Sequence, residues 1–224
     1  AEEAIGLMLA ESRDIARADA GIKGGRWPKE FSGPVYEIGG RTVGVIGFGE
    51  VARQLAKKLS GFDVEMLVYD PYVDVEVIES YGGEKVEDLE RVFREGDFVN
   101  LHARLTDETR RFIGREYFEM MKPGAYFTNN ARSRMVRYEE LYDVLAEGRI
   151  AGAALDVHED EPLPENSPWR TLENVTLTPH VAGATIDTGE NTVRMVAEAI
   201  KEFAESGRCE NTVNEEALEG AKQA

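Results

Sequence analysis

The chain has 224 residues, of which 42% are hydrophobic and 31% are charged, as expected for one large α/β domain or for one domain with appendages. Its net charge of −17, from 26 basic and 43 acidic residues, argues against nucleic acids and anionic membrane surfaces as partners. No apolar run in the sequence reaches the ~18 residues that a membrane-spanning helix requires. Cys209 is the only cysteine, which excludes an intrachain disulfide and favours a reducing compartment such as the cytoplasm.

The N-terminal region is predicted to be a helix followed by an arm. Apolar side chains recur among charged ones from residue 1 to about residue 20, as in an amphipathic helix. Residues 26–41 contain prolines and glycines at the density of a loop. The arm carries Trp27 and Phe31, and two interpretations stay open for the whole segment 1–41: docking on a neighbouring subunit, or packing on its own domain.

The next stretch predicts a strand, a glycine turn and a helix. Residues 42–46 are apolar and β-branched, which is typical of a strand buried in a parallel sheet. The turn from Gly47 to Ala52 has the pattern G-x-G-x-x-A, in which Gly47 permits a sharp bend and Gly49 lets backbone approach a pyrophosphate. The amphipathic helix that follows would direct its unpaired N–H groups and positive dipole end at those phosphates.

An acidic residue completes this pattern. Asp70 directly follows the second predicted strand, 64–69. Its separation along the chain from Ala52, the last residue of the glycine turn, is close to the ~20 residues expected for a carboxylate that binds ribose hydroxyls. Such a carboxylate would repel a 2′-phosphate, so the cofactor is predicted to be NAD rather than NADP. The alternative is a glycine-rich turn without a ligand, but strand, turn, helix and acid in this order favour dinucleotide binding.

Strands and helices continue to alternate beyond Asp70. The predicted strands are 84–86, 97–101, 125–128, 151–157 and 175–178, and the predicted helices are 75–81, 89–95, 116–122, 138–147 and 188–206. This alternation is the pattern of a doubly wound parallel sheet, the Rossmann fold. We expect a dinucleotide-binding domain over 1–206 and a polar tail over 207–224.

Polar side chains follow the predicted strands at the edge where open α/β sheets bind ligands. They are Asp70, His102, Arg132, Asp156, Glu161 and His180. Three of these residue types suit a redox step on a hydroxy acid. A histidine can exchange the hydroxyl proton, and a carboxylate beside it favours the imidazolium form. An arginine can bind the substrate carboxylate through two hydrogen bonds. His180, Glu161 and Arg132 fit these roles. Each of them alone is more often structural or solvated than catalytic, so the prediction depends on the set.

Six segments carry a resemblance to a known family: VGVIGFGEVARQLA, VYDPY, LHARLTDETRRFIG, NNARSRMV, GRIAGAALDVHEDEPLP and NVTLTPHVAGAT. With them the chain resembles the D-isomer-specific 2-hydroxyacid dehydrogenases, which include phosphoglycerate dehydrogenases and glyoxylate/hydroxypyruvate reductases. The resemblance implies hydride transfer between NAD and a D-2-hydroxy or 2-keto acid. It implies Arg132 as the substrate-binding catalytic arginine, His180 as the acid/base and Glu161 as the partner of His180.

The cofactor contacts follow from the strand ends and the resemblance together. The residues assigned to NAD are Gly47, Gly49, Glu50, Val51, Asp70, His102, Ala131, Arg132, Asp156, His180, Ala182 and Gly183. The resemblance implies that Glu50 and Val51 lie along the pyrophosphate, that Asp70 lies on the adenosine ribose and that Asp156 reaches the nicotinamide. No metal site is expected.

The sequence departs from the family pattern at three places. Ala52 replaces the third glycine, Arg104 stands where proline is usual, and Ser133 and Arg134 stand where small residues usually follow the catalytic arginine. As a hypothesis, Arg134 favours a phosphorylated or dianionic substrate. Nothing in the chain corresponds to the family's smaller substrate domain, so we expect a cofactor domain that binds NAD, turns over poorly alone and directs its tail toward that domain.

The resemblance also concerns partners and alternatives. It implies a homodimer built largely through this domain, with a small-molecule acid as substrate and neither nucleic acid nor membrane as partner. Two other functions stay open: a non-enzymatic NAD-dependent scaffold similar to the corepressors called C-terminal binding proteins, and a formate or phosphite dehydrogenase of the same fold.

Overall fold

A computed structural model describes residues 1–27, 35–207, 209 and 212. The chain divides into two compact units, Ala1–Ala182 and Gly183–Ala224. The strands are β1 (Thr42–Ile46), β2 (Glu65–Tyr69), β3 (Glu84–Lys85), β4 (Phe98–Leu101), β5 (Tyr126–Asn129), β6 (Gly152–Leu155) and β7 (Val175–Leu177). The helices are α1 (Glu2–Ser12), α2 (Ile15–Lys23), α3 (Glu50–Leu59), α4 (Val75–Glu79), α5 (Leu89–Glu95), α6 (Arg115–Phe118), α7 (Tyr138–Ala146) and α8 (Ile186–Ser206), with short 3₁₀ turns at Ser133–Met135 and Pro168–Thr171.

The strands of the first unit form one parallel sheet, which confirms the predicted doubly wound fold. Among the described residues the order is β3-β2-β1-β4-β5-β6-β7. β1 lies between β2 and β4, with Ile46 opposite Tyr69 on one side and Leu101 on the other. The strand order therefore reverses at β1, and such a reversal is the point at which open α/β sheets bind their ligands.

Helices cover both faces of the sheet, which explains why its central strands are largely apolar. One cluster of buried side chains packs α1, α3 and α4 on the face that carries Val43 and Val45 of β1. The other packs α5, α6 and α7 on the opposite face, where Ile46 lies. β1 thus has a buried residue at nearly every position because both of its faces are covered.

The predicted element bounds agree with the structure to within a few residues, but the N-terminal helix is an exception. The structure has two helices there, separated at Arg13 and Asp14. Asp14 has a left-handed φ of 55°, and the carbonyl of Ser12 accepts from the N–H of Tyr36 at 2.8 Å. That hydrogen bond comes from a residue outside the helix, so the helical pattern alone did not predict the break.

The described part of the arm leaves a large aromatic side chain in solvent. Trp27 is 78% exposed, whereas the predicted contact residue Phe31 lies outside the described residues. In the second unit, Thr185 caps α8 by accepting from the N–H of Thr188 at 3.0 Å. No helix in the described ranges is long and apolar enough to cross a membrane.

The glycine turn shows why its two glycines are not equivalent. Gly47 has a φ of 87°, and a Cβ built on it would lie 2.5 Å from the backbone of Ala103. Gly49 begins α3 as its N-cap, and a Cβ on it would meet nothing within 4 Å. Gly47 is therefore needed for the close packing of the β1 and β4 loops, whereas Gly49 leaves open space at the N-terminus of α3.

Candidate active site

A cavity of about 620 Å³, here called the glycine-turn cavity, lies at the carboxyl ends of β1, β2 and β4. It is lined by Gly47, Gly49, Asp70, Tyr72, His102 and Arg104, among others. The N–H of Gly47 donates to the carbonyl of Tyr69 at 2.8 Å, which ties the turn to the end of β2. Glu50 and Val51 lie on the exposed first turn of α3.

Asp70 is held in place by backbone donors. Its Oδ2 accepts from the N–H of Phe48 at 2.7 Å, and its Oδ1 accepts from the N–H of Tyr72 at 2.9 Å. Each carboxylate oxygen has further acceptor capacity, so Asp70 can accept from the hydroxyls of a ribose while it keeps both bonds. An oriented carboxylate beside an open helix N-terminus is the donor and acceptor set that a dinucleotide requires.

His102 is the first residue beyond β4, and its N–H donates to the carbonyl of Ile46 at 2.7 Å. Its Nε2 is shielded from water and has no hydrogen-bond partner among the described residues. Burial lowers the pKa of His102 to about 4, because the charged imidazolium is penalised away from water. His102 is therefore a neutral imidazole at neutral pH.

A second cavity of about 430 Å³, here called the arginine cavity, brings together the three predicted catalytic residues. Arg132, Glu161 and His180 line it. Segment 104–106 runs between the two cavities, since Arg104 faces the glycine-turn cavity and Leu105 faces the arginine cavity. The two cavities are therefore neighbours along one edge of the sheet.

His180 and Glu161 form a hydrogen-bonded pair. Nδ1 of His180 lies 2.7 Å from Oε2 of Glu161, and the N–H of His158 donates to Oε1 of Glu161 at 3.0 Å. The hydrogen bond from His180 and then that from His158 lower the pKa of Glu161. An ionised carboxylate can only accept, so Nδ1 carries the proton and Nε2 is left to exchange a proton with a ligand.

Asp156 organises the turn that carries His180. Its fully buried carboxylate accepts from Oγ1 of Thr178 at 2.7 Å and from the N–H groups of Val181 and Ala182 at 2.8 and 2.9 Å. His180 has a left-handed φ of 56°, a conformation that is strained for a side chain without a compensating contact. The described contacts of Asp156 thus fix His180 in that conformation.

Two residues that shape the turns of the candidate site were not predicted from the sequence. Asn129 accepts from the N–H of Ala131 at 3.0 Å and donates to the carbonyl of Arg132 at 3.2 Å, so its amide shapes the turn that presents Arg132. Nε2 of His158 lies 2.9 Å from the carbonyl of Thr178, which joins the Glu161 loop to the His180 turn. The available signals were an asparagine at the end of β5 and a histidine three residues beyond β6.

The remaining predicted cofactor residues lie close to Arg132 or His180 in the chain. Ala131 directly precedes Arg132, and Ala182 ends the first unit. Gly183 is the first residue of the second unit. Within the ranges that the structure describes, no group of three or more His, Cys, Asp or Glu could hold a metal ion.

Comparisons with known proteins agree on one family. The family model for the D-isomer specific 2-hydroxyacid dehydrogenase, NAD binding domain, matches residues 5–182. A D-3-phosphoglycerate dehydrogenase of Methanocaldococcus jannaschii is 42% identical over 96% of this chain and 40% of its own length. A glyoxylate reductase of Korarchaeum cryptofilum is 38% identical over 97% of this chain and 66% of its own length.

The solved structures agree with the sequence relatives. A D-lactate dehydrogenase of Lactobacillus jensenii, solved with NAD⁺, superposes with a TM-score of 0.83 at 27% identity. The superposition covers 95% of this chain and 67% of that one. The chain spans from 40% to 66% of the two sequence relatives, so those proteins contain a further part that this chain does not match.

The neutral state of His102 makes stability depend on pH. Its folded pKa of about 4 lies below the ordinary 6.5, so between these values the unfolded chain binds a proton that the folded chain does not. The free energy of unfolding therefore falls as the pH falls through this window. Urea denaturation should show that acidification from pH 7 to pH 4 costs the wild type about 3 kcal/mol more than His102→Gln.

Above pH 7 the free energies of unfolding of the wild type and His102→Gln should change with pH in parallel. This range provides the control for the comparison. An equal loss of stability on acidification in both proteins would mean that His102 titrates normally in the folded state.

Proposed function

The chain belongs to the D-isomer specific 2-hydroxyacid dehydrogenase family, and we propose that it is the NAD-binding part of an enzyme that interconverts D-2-hydroxy acids and 2-keto acids. NAD is the cofactor of the matched domain. The observation that carries the proposal is the arginine cavity, where the hydrogen-bonded pair His180–Glu161 and the guanidinium of Arg132 lie beside the glycine-turn cavity.

The glycine-turn cavity would hold the cofactor. Gly47 makes the sharp turn that leads into α3, Gly49 leaves open space for phosphates at the N-terminus of that helix, and Asp70 would accept from ribose hydroxyls. The other residues that we assign to the cofactor are Glu50, Val51, His102, Ala131, Arg132, Asp156, His180, Ala182 and Gly183. NAD, when bound, supplies the acceptor or the donor of the hydride.

The arginine cavity would perform the proton transfer. In the oxidation direction, Nε2 of His180 takes the proton of the substrate hydroxyl as a general base. Glu161, which accepts from Nδ1 at 2.7 Å, stabilises the imidazolium that forms. Arg132 holds the substrate carboxylate bidentately and so fixes the hydroxyl relative to His180. In reduction His180 returns the proton as a general acid.

We also propose a homodimer in which the N-terminal region of one chain docks on a second copy. The large side chains of Ile15, Ile22 and Trp27 are 53%, 49% and 78% exposed, and apolar surface of this kind on neighbouring residues is typical of an interface. Sedimentation of the wild type should give the mass of two chains, and Trp27→Ser should shift the equilibrium toward one. A single-chain mass for the wild type would contradict the proposal.

A cytoplasmic location completes the proposal. The single cysteine leaves no intrachain disulfide to form, which suits a reducing compartment. Fractionation of the source cells tests this, and recovery outside the cytoplasmic fraction would contradict it.

Asp70 should set the cofactor preference. In titration calorimetry, Asp70→Asn should bind NAD⁺ about tenfold more weakly than the wild type, because the charge that favours the ribose hydroxyls is lost. Its discrimination against NADP⁺ should shrink, because the repulsion of the 2′-phosphate is removed as well. Asp107→Asn is the matched control, since that side chain is fully exposed and does not line the cavity. Unchanged affinities in Asp70→Asn would mean that Asp70 is not on the ribose.

His180 should carry the acid–base step. In the natural protein, with any segments that flank this chain, His180→Gln should lower kcat for 2-keto acid reduction by about 10² to 10⁴. NADH should still bind, because the glycine turn is intact. A wild type that binds NADH but turns over no 2-keto or 2-hydroxy acid would favour the scaffold, and activity on formate or phosphite alone would favour that class of dehydrogenase.

A further inference from the structure

We propose that Arg134 is a second anion-binding residue of the arginine cavity. It would select 2-hydroxy acids that carry a second anionic group, either a phosphate monoester or a further carboxylate. This inference rests on the proposed function and deepens it, because it names the substrate class.

The turn after β5 presents Arg132 and Arg134 on the same side. Ser133 and Met135 are buried, whereas Arg132 and Arg134 are exposed and both line the arginine cavity. Oγ of Ser133 donates to the carbonyl of His158 at 2.8 Å. The alternation of buried and exposed residues along the turn therefore places two guanidinium groups at the cavity that also contains the Glu161–His180 pair.

The backbone around Arg134 is held in place by hydrogen bonds to a neighbouring segment. Its carbonyl accepts from the N–H of Arg111 at 2.8 Å, and the carbonyl of Met135 accepts from the N–H of Ile113 at 3.2 Å. Ile113 and Val136 also form a parallel bridge. Because the backbone at Arg134 is already fixed, binding of a ligand by its side chain does not require the backbone to be ordered as well, which favours affinity.

Neighbouring arginines are already neutralised. Arg111 contacts the carboxylate of Glu139 and lies 3.9 Å from that of Glu159. Arg137, three residues beyond Arg134, contacts Glu116 and lies 3.1 Å from Glu140.

Arg132 and Arg134 differ from these neighbours. Neither forms an ion pair with a carboxylate among the described residues, although the chain has 43 acidic and only 26 basic residues. The carboxylates that share the cavity are engaged elsewhere, Glu161 with His180 at 2.7 Å and Glu159 with Arg111. The positive charge of both guanidinium groups is thus available to a ligand.

The number of charges points to the substrate class. A simple 2-hydroxy acid has one carboxylate, and one guanidinium is sufficient to bind it bidentately. A second unpaired guanidinium on the same cavity wall would have no partner on such a substrate. A phosphate or second carboxylate at the far end of the substrate provides that partner.

The test compares three D-2-hydroxy acids in the natural protein, with any segments that flank this chain. D-3-phosphoglycerate carries a phosphate, D-malate a second carboxylate, and D-lactate neither. We expect Arg134→Gln to lower kcat/KM about tenfold to a hundredfold for substrates with a second anion, mainly through KM, because a charged hydrogen bond is lost. For D-lactate the change should stay within about threefold, and Arg134→Lys should restore part of the loss because it keeps the charge.

Comparison of D-3-phosphoglycerate with D-malate shows whether Arg134 binds a phosphate or a carboxylate. A loss confined to D-3-phosphoglycerate assigns Arg134 to a phosphate, and a loss shared with D-malate assigns it to an anion of either kind. Arg110→Gln is the matched control, since Arg110 lies on the exposed loop beyond β4, 3.9 Å from Asp107, and should change none of the three substrates.

Three outcomes would overturn the inference while the proposed function stands: an equal loss for all three substrates, no loss for any, or a wild type that oxidises D-lactate alone. A wild type that oxidises no 2-hydroxy acid with NAD⁺ would remove the proposed function and this inference together.

Discussion

The position of β1 between β2 and β4 is the constraint on which the rest of the structure depends. Because β1 pairs in parallel with both neighbours, the chain must cross back over the sheet between β3 and β4. The loops that follow β1 and β4 meet at this point, so closely that a Cβ on Gly47 would lie 2.5 Å from the backbone of Ala103. Gly47 and Ala103 both line the glycine-turn cavity, so this close packing forms part of its wall.

The distribution of charged side chains at the carboxyl edge of the sheet differs from what the net charge of −17 suggests. Asp70, Asp156 and Glu161 each accept hydrogen bonds from backbone N–H groups, so their orientations are set before any ligand arrives. Arg132 and Arg134 lack carboxylate partners among the described residues. An acidic chain thus retains uncompensated positive charge at the place where an anionic acid would bind.

The local patterns of the sequence predicted most of the fold and part of the site. Strand β1 and helix α5 were predicted with their observed ends, and the doubly wound sheet was predicted from the alternation of elements. The break between α1 and α2 was missed, because it depends on the hydrogen bond from Tyr36 to Ser12. The role of Asn129 was missed for a related reason: the sequence shows an asparagine but not which backbone groups surround it.

The sequence by itself determined the elements, the glycine turn and the residue types at the strand ends, because helical and strand periodicity and turn chemistry are properties of neighbouring residues. Which of those residues meet is decided by the tertiary structure, and only the family resemblance, not a local pattern, had implied the pairing of Glu161 with His180. Glu161 contacts His180, and Asp156 holds the left-handed turn around His180, because β6 and β7 lie side by side in the sheet. That adjacency depends on hydrogen bonds and packing between segments far apart in the chain, which no local pattern encodes.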